Sequence, residues 1–349
     1  MVDMRGAGGD DALTCQLYGD GRNMAPYLAT MFPLDKVREC ASRLKARADL
    51  TQYTSENAAR DLDEVRAALG AAKWSLYGAS YGSRLALVYM RMFPERVERA
   101  ALLGVLPPEA PTGRDFARGG QQALDSAFSA CSRNEICRRV APDPRRDVIT
   151  LLDRLRRSPA TVVVDNRAGH RSDTATLTTR AAAEGLFLAA YDPRQLTWML
   201  PQVHRAVTSN DLRALAGEFA ELTRSKRNGP ALGLLLSIWC AEDIPRLRAT
   251  DTLSSRSLLG IPVVPEAMAA CEQWPHASVA ASFGARLSSD IPILLMSGGR
   301  DPVTPAYLTD SIASGFSHAE RYNDPAAGHA LLGDRGRDRI ARFFSEGVP

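Results

Sequence analysis

Lysine is nearly absent from this chain: Lys36, Lys45, Lys73 and Lys226 are the only four among 43 basic residues, and the rest are arginine. Against them stand 40 carboxylates, for a formal net charge of +3 that is dispersed along the sequence and offers no basic face for nucleic acid. Histidine is scarce too, with five residues in 349, and none keeps company with a cysteine. The six cysteines, Cys15, Cys40, Cys131, Cys137, Cys240 and Cys271, form no C-x-x-C pair, so no metal site is expected. Long apolar runs are missing as well. The longest uncharged one, residues 229–241 (GPALGLLLSIWCA), falls short of the roughly 20 residues a membrane span needs and reads as a core helix. No signal peptide, internal repeat or low-complexity linker stands out.

What is present has the composition of a globular protein, 45% apolar and 24% charged, long enough for one large domain with an insertion or for two. An even number of cysteines in loop-like stretches is compatible with three disulfides and an oxidising compartment. Six reduced, buried thiols in a cytosolic enzyme are the alternative.

Residues 76–84 read LYGASYGSR, with Gly78, Ala79 and Gly82 crowded around Ser80. Glycines after a strand can mark an ordinary turn. G-x-S-x-G is also the nucleophile elbow, a strained strand-to-helix turn that exposes a serine hydroxyl. The flanks favour the elbow: residues 73–77 (KWSLY) read as a buried strand, residues 83–93 (SRLALVYMRMF) as a helix ended by Pro94, and residues 97–106 (VERAALLGVL) as the next strand. A parallel sheet with crossover helices follows.

A serine nucleophile needs a base, and the base needs an orienting acid. Of the histidines, His170 sits in a polar turn, His204 on a helical stretch, His276 after Trp-Pro, and His318 before a strand, AERYN. His329 occupies a glycine loop beyond that strand (DPAAGHALL), where α/β folds assemble their sites. The strand at residues 291–297 (IPILLMS) runs into GGRDPVTP, which places Asp301 just past its carboxyl end, unless that aspartate merely caps the turn. Ser80, Asp301 and His329 thus fall on three loop tips in the chain order of a hydrolase triad.

These motifs resemble the α/β-hydrolase serine peptidases that include proline iminopeptidase and the secreted tripeptidyl aminopeptidases. Residues 3–15 (DMRGAGGDDALTC) look like that family's D-x-R-G-x-G segment; residues 51–70 are similar to the helix before the nucleophile strand, with Ala58, Leu62, Val65 and Leu69 as its apolar face. AYDPRQLTWMLP, SIWCAEDIP and CEQWP resemble the secreted branch. The resemblance implies an α/β-hydrolase core, a mostly parallel sheet with helices on both faces, truncated on its N-terminal side and carrying a mainly helical inserted cap. Residues 1–108 and 290–349 would form the core and residues 109–289 the cap. Cap helices are expected at 115–132, 146–157, 180–191, 194–207 and 210–224, with a hairpin over 162–178.

The implied chemistry is acyl transfer to Ser80, with His329 as base, Asp301 as its orienting acid, the Tyr81 backbone N–H as oxyanion donor, and no cofactor. The substrate would be a peptide or small ester. An aminopeptidase must also hold an α-ammonium, and Glu242 and Asp243 are the first candidates, with Glu184 and Asp192 behind them; each can equally be a solvated surface carboxylate. A carboxylesterase on the same fold, or a catalytically silent relative that only binds, are the competing readings. By resemblance and loop position the cysteines pair as Cys15–Cys40, Cys131–Cys137 and Cys240–Cys271, which implies a periplasmic or secreted protein. In this family a Gly-rich H-G-G-P-G type loop precedes D-x-R-G-x-G and supplies a second oxyanion donor. Here Asp3 stands two residues from Met1, so the chain as written is expected to be weakly active or poorly soluble.

Overall fold

The computed structural model describes residues 3–166, 171–228, 231–248, 257–260, 263–329 and 332–345. Within them the chain forms six strands, β1 (Trp74–Ala79), β2 (Val97–Leu103), β3 (Ala160–Asn166), β4 (Arg171–Leu177), β5 (Ile293–Gly298) and β6 (Ala319–Asp324). β1, β2, β5 and β6 make one sheet in that order, every pair parallel, and β3 and β4 make a separate antiparallel hairpin. The hairpin's connection, with His170, lies outside the described residues.

A parallel sheet is covered on both faces, so its strands must be apolar on both. Alternate residues divide accordingly. Ala100, Leu102, Ile293 and Leu295 share a buried cluster with Leu87, Val88 and Met90 of the helix Tyr81–Met92, while Ala101, Leu103, Leu294 and Met296 share another with Phe343 of the helix Asp334–Ser345. Among the described residues β1 is an edge strand, and its Tyr77 is 57% exposed.

The helix before β1 spans Ser55–Ala68, started by the Thr54 side chain accepting from Asn57 N–H. It buries Ala58 and Ala59, with Leu62 partly covered, but Leu69 is 73% exposed. The expected apolar face therefore stops a turn early, because Leu69 is the C-cap residue, beyond the last buried turn at Arg66.

The segment between β2 and β5 carries the helices Phe116–Arg133, Pro144–Arg157, Thr179–Ala189, Pro193–Ser209 and Arg213–Arg227. The last of these starts three residues later than its polar/apolar pattern suggests, because Asn210 adopts a left-handed conformation (φ 60°) that closes the preceding helix. Residues 229–241 yield a short helix, Leu232–Ile238, that widens into a π turn at Trp239–Asp243. Leu13, Phe32 and Leu44 from the N-terminal segment join the same buried cluster as Leu186, Leu200, Phe219 and Leu236. Backbone and side-chain bonds stitch the two stretches together, Gly233 N–H to Leu13 O at 2.8 Å and Met24 N–H to Asp173 Oδ2 at 2.9 Å.

The cysteines form Cys15–Cys40, Cys131–Cys137 and Cys240–Cys271, with none left free. Loop-closure entropy makes their contributions unequal. Removing Cys240–Cys271, at a sequence separation of 31, should cost about 3 to 4 kcal/mol, whereas removing Cys131–Cys137, at a separation of 6, should cost about 2 kcal/mol. Guanidinium unfolding of the two paired Cys→Ser variants measures this; a larger loss from the short bridge would overturn the loop-length account.

Candidate active site

β1 passes into the helix Tyr81–Met92 through Ser80 alone, whose backbone sits at φ 53°, ψ −122°, a region that disfavours any residue with a Cβ. The turn is tight enough that a Cβ on Gly78 would stand 2.4 Å from the carbonyl oxygen of Gly82, so that position must be glycine. Gly82 differs: a Cβ there meets nothing within 4 Å. Steric crowding thus comes from Gly78 and not from the second motif glycine. Ser80 N–H donates to Leu103 O at 2.9 Å, and Ser83 Oγ donates to Ser80 O at 2.6 Å while accepting Leu106 N–H at 2.9 Å. The elbow is therefore tied to the exit of β2.

Asp301 lies in the turn after β5, its side chain fully buried. Its Oδ1 accepts the N–H groups of Val303 (2.7 Å) and Thr304 (2.8 Å), and its Oδ2 accepts the Thr304 hydroxyl (2.6 Å) and stands 2.9 Å from His329 Nδ1. Burial works against the ionised carboxyl, but hydrogen bonds from His329 and Thr304 outweigh it and hold Asp301 below its ordinary pKa. His329, on the loop beyond β6, places Nε2 2.9 Å from Ser80 Oγ. The structure thus joins Ser80, His329 and Asp301 in one hydrogen-bonded line. As first residue of its helix, Tyr81 has a backbone N–H without an intrahelical acceptor.

Several contributors escape a reading of the sequence. Thr304 is one, although an aspartate three residues before a threonine in a turn is a recognisable pattern. Gly104 is another, at φ +58°, where a Cβ would come within 3.0 Å of Thr304 Oγ1 and 3.7 Å of His329 Cε1. Tyr191 accepts His329 N–H at 3.0 Å and sets its ring edge-on to the imidazole, with centroids 5.1 Å apart; nothing in the sequence links the two. The remaining described histidines have other partners or lie elsewhere: His204 Nδ1 meets Asp147 Oδ2, and His276 Nδ1 meets Trp274 O. Among the described residues no cluster of three or more His, Cys, Asp or Glu could hold a metal ion, and no helix is long and apolar enough to cross a membrane.

A cavity of about 410 Å³ opens from Ser80 and His329 beneath the helices between β2 and β5, walled by Leu106, Phe116, Phe187 and Trp239. Two of the four carboxylates suggested for an ammonium, Asp243 and Glu184, line it. Asp243 takes Arg84 Nη1 at 2.8 and 2.9 Å and Thr112 N–H at 2.7 Å; Glu184 is clamped by Arg180 and Arg227. Glu242 and Asp192 are not among the residues that line it. The Glu242 carboxylate is fully buried and accepts Ser55 N–H (2.5 Å) and Ser55 Oγ (2.8 Å), and the same hydroxyl meets Tyr81 OH at 2.9 Å. Asp192 caps the helix Pro193–Ser209 and pairs with Arg194 at 2.8 Å.

A family model described as the alpha/beta hydrolase fold matches residues 1–335. The chain is an α/β hydrolase. This hydrolase is 26% identical over 278 residues to serine protease Hip1 of Mycobacterium tuberculosis, an alignment covering 73% of this chain and 52% of the relative, so it spans about half that relative's length. It is 46% identical over 59 residues to a tripeptidyl aminopeptidase of Streptomyces lividans (17% of this chain, 11% of the relative) and 37% identical over 65 residues to a proline iminopeptidase of Xylella fastidiosa (19% and 21%). Among solved structures, a thermophilic esterase from Thermogutta terrifontis aligns at 14% identity with a TM-score of 0.36, covering 85% of this chain and 74% of that one.

Burial pushes the Glu242 carboxyl up from 4.5 to about 7, against the pull of the Arg84 charge and the Ser55 hydrogen bonds. A carboxyl raised on folding holds extra protons in the folded state, so the stability it contributes is present at low pH and lost as pH rises from 4.5 through about 7. Between about pH 5 and about pH 8 the wild-type Tm should therefore fall by more than that of Glu242→Gln. Parallel Tm profiles for the two proteins would exclude this role.

Proposed function

We propose that this α/β hydrolase is a serine hydrolase working through an acyl-enzyme on Ser80. The reading rests on the line of hydrogen bonds from Ser80 Oγ to His329 Nε2 and from His329 Nδ1 to Asp301 Oδ2, each 2.9 Å, at the mouth of a cavity large enough for an acyl group. His329 takes the hydroxyl proton as Ser80 attacks the carbonyl carbon, then gives it to the leaving group. Asp301 fixes the ring so that Nδ1 carries its proton, and offsets the charge of the imidazolium. The Tyr81 backbone N–H faces the developing oxyanion. A water activated by His329 then releases the acyl group and restores the serine. Residues 109–289 act as the cap over this cavity.

Among serine hydrolases we favour an aminopeptidase, supported by the names of the relatives; two carboxylates, Asp243 and Glu184, line the cavity. One observation favours an esterase instead: both carboxylates already hold arginines, and an ammonium would have to compete with them. The three disulfides support an oxidising compartment outside the cytoplasm.

A fluorophosphonate probe should label wild-type protein on Ser80 and leave Ser80→Ala unlabelled, and Ser80→Ala should lose at least about a thousandfold in turnover. Comparing alanine and proline anilides with a p-nitrophenyl ester separates aminopeptidase from esterase. Undiminished turnover by Ser80→Ala would remove this serine from the chemistry, and an unlabelled wild type would leave the binding-only reading standing.

A further inference from the structure

We propose that the cavity recognises a substrate carrying a carboxylate on its acyl portion, about one side chain beyond the scissile carbonyl, with Lys226 as the counter-ion. The proposal rests on the reading above that acyl transfer takes place at Ser80.

Besides His329, six acidic and basic side chains among the described residues line the cavity: Arg180, Glu184, Lys226, Arg227, Asp243 and Glu266. Four of them close on one another. Arg180 Nε donates to Glu266 Oε1 at 2.8 Å, and its Nη1 and Nη2 donate to Glu184 Oε2 at 2.6 and 2.9 Å. Arg227 Nη2 donates to both Glu184 oxygens at 2.5 and 2.7 Å, and Glu266 Oε2 accepts Met31 N–H at 2.7 Å. Two guanidinium groups and two carboxylates make an electrically balanced set whose carboxylate oxygens are all engaged.

Lys226 stands outside that set. Although it lines the cavity, Lys226 is solvent-exposed; its ammonium lies 4.8 Å from the centroid of the Tyr191 ring and, among the described residues, in no ion pair with a carboxylate. The His329 imidazole and the Phe187 ring also pack against Tyr191, so the lysine and the base contact the same aromatic side chain. Arg227 is 2% exposed as a side chain and spent on Glu184, and its Nε–H is buried with no acceptor among the described residues. Asp243 cannot offset the lysine, since Arg84 and Thr112 already fill its oxygens, and Asp301 is held by His329 and Thr304. A cavity with apolar walls and a lysine that has no ion-pair partner among the described residues favours an anion at that lysine. A carboxylate reaching Lys226 past Tyr191 gains a charge-assisted hydrogen bond without displacing an existing ion pair. Aspartyl, glutamyl and dicarboxylic half-ester acyl groups have this chemistry.

The test compares acids with neutral isosteres at low ionic strength, where a partly exposed ion pair is least screened. Ser80→Ala protein is titrated with the peptides Glu-Ala-Ala and Gln-Ala-Ala, and with monomethyl and dimethyl adipate, binding being read by ligand-observed NMR. In at least one pair the acid should bind about fivefold tighter, the range of a rim ion pair, with the preference falling toward unity on adding Lys226→Gln and returning with Lys226→Arg. No preference in either pair, no binding by either pair, or a preference that survives Lys226→Gln would overturn the proposal. Fluorophosphonate labelling keeps the two readings apart: labelled Ser80 without an acid preference rejects the carboxylate site alone, and an acid preference without labelling rejects the acyl-transfer reading alone.

Discussion

His329 must hydrogen-bond at both ends, to a serine at the exit of β1 and to an aspartate at the exit of β5, and these strands are not neighbours. The demand is met if the strands end at the same side of the sheet. Their register does this: Ala79 stands beside Leu103 and Leu103 beside Met296, with β5 and β6 running two residues further to the pair Gly298 and Asp324, so the elbow, the acid turn and the histidine loop leave the sheet at one rim. β2 lies between the two, and at its exit Gly104 leaves room where a side chain would press on Thr304 and the imidazole. A slip of one residue in any ladder would also swap the two apolar faces of a parallel strand, so packing and chemistry select the same register.

At that rim a buried charge pair links the core to the segment between β2 and β5, beside the shared apolar cluster. Arg84, on the helix that leaves the elbow, is fully buried, reaches Asp243 in the π turn, and donates to Ala110 O at 2.9 Å. Breaking a buried pair on one side only leaves an uncompensated charge that costs about 3 to 5 kcal/mol, so such a pair specifies one docking of the π turn on the core even where it adds little net stability. The same logic explains why carboxylates near the cavity are poor candidates for free ligand groups. Each sits beside arginines, which this chain uses in place of lysine and which chelate carboxylates with two donors at once.

Legibility in the sequence follows the range of the interaction. The elbow can be read because its constraint is local, a glycine two residues before a serine followed by a helical run, and the sheet because its strands are short apolar runs punctuated by turns. Asp301 and His329 can be read because the order of loop tips along the chain limits the choice to few residues. Helix ends shift where a single residue such as Asn210 takes an unexpected conformation. The ligands of the cavity carboxylates are not legible: Ser55 is 187 residues from Glu242, and Arg84 is 159 from Asp243. Burial alone makes Glu242 look like a group waiting for a substrate, when its partners come from the start of the helix before β1. Thr304 was within reach, since only local turn chemistry places it.

Tyr191 ties the segment between β2 and β5 directly to His329. It follows the helix Thr179–Ala189, and its carbonyl oxygen takes the His329 N–H while its ring braces the imidazole edge-on. A loop histidine bonded only through its side chain would be free to swing; one whose backbone is also held has its ring position set from two directions. The core supplies the serine and the aspartate, but the placement of the group between them depends on a residue of that segment. The ammonium of Lys226 contacts the same ring. The cavity lining and the setting of the His329 ring therefore share one side chain, Tyr191.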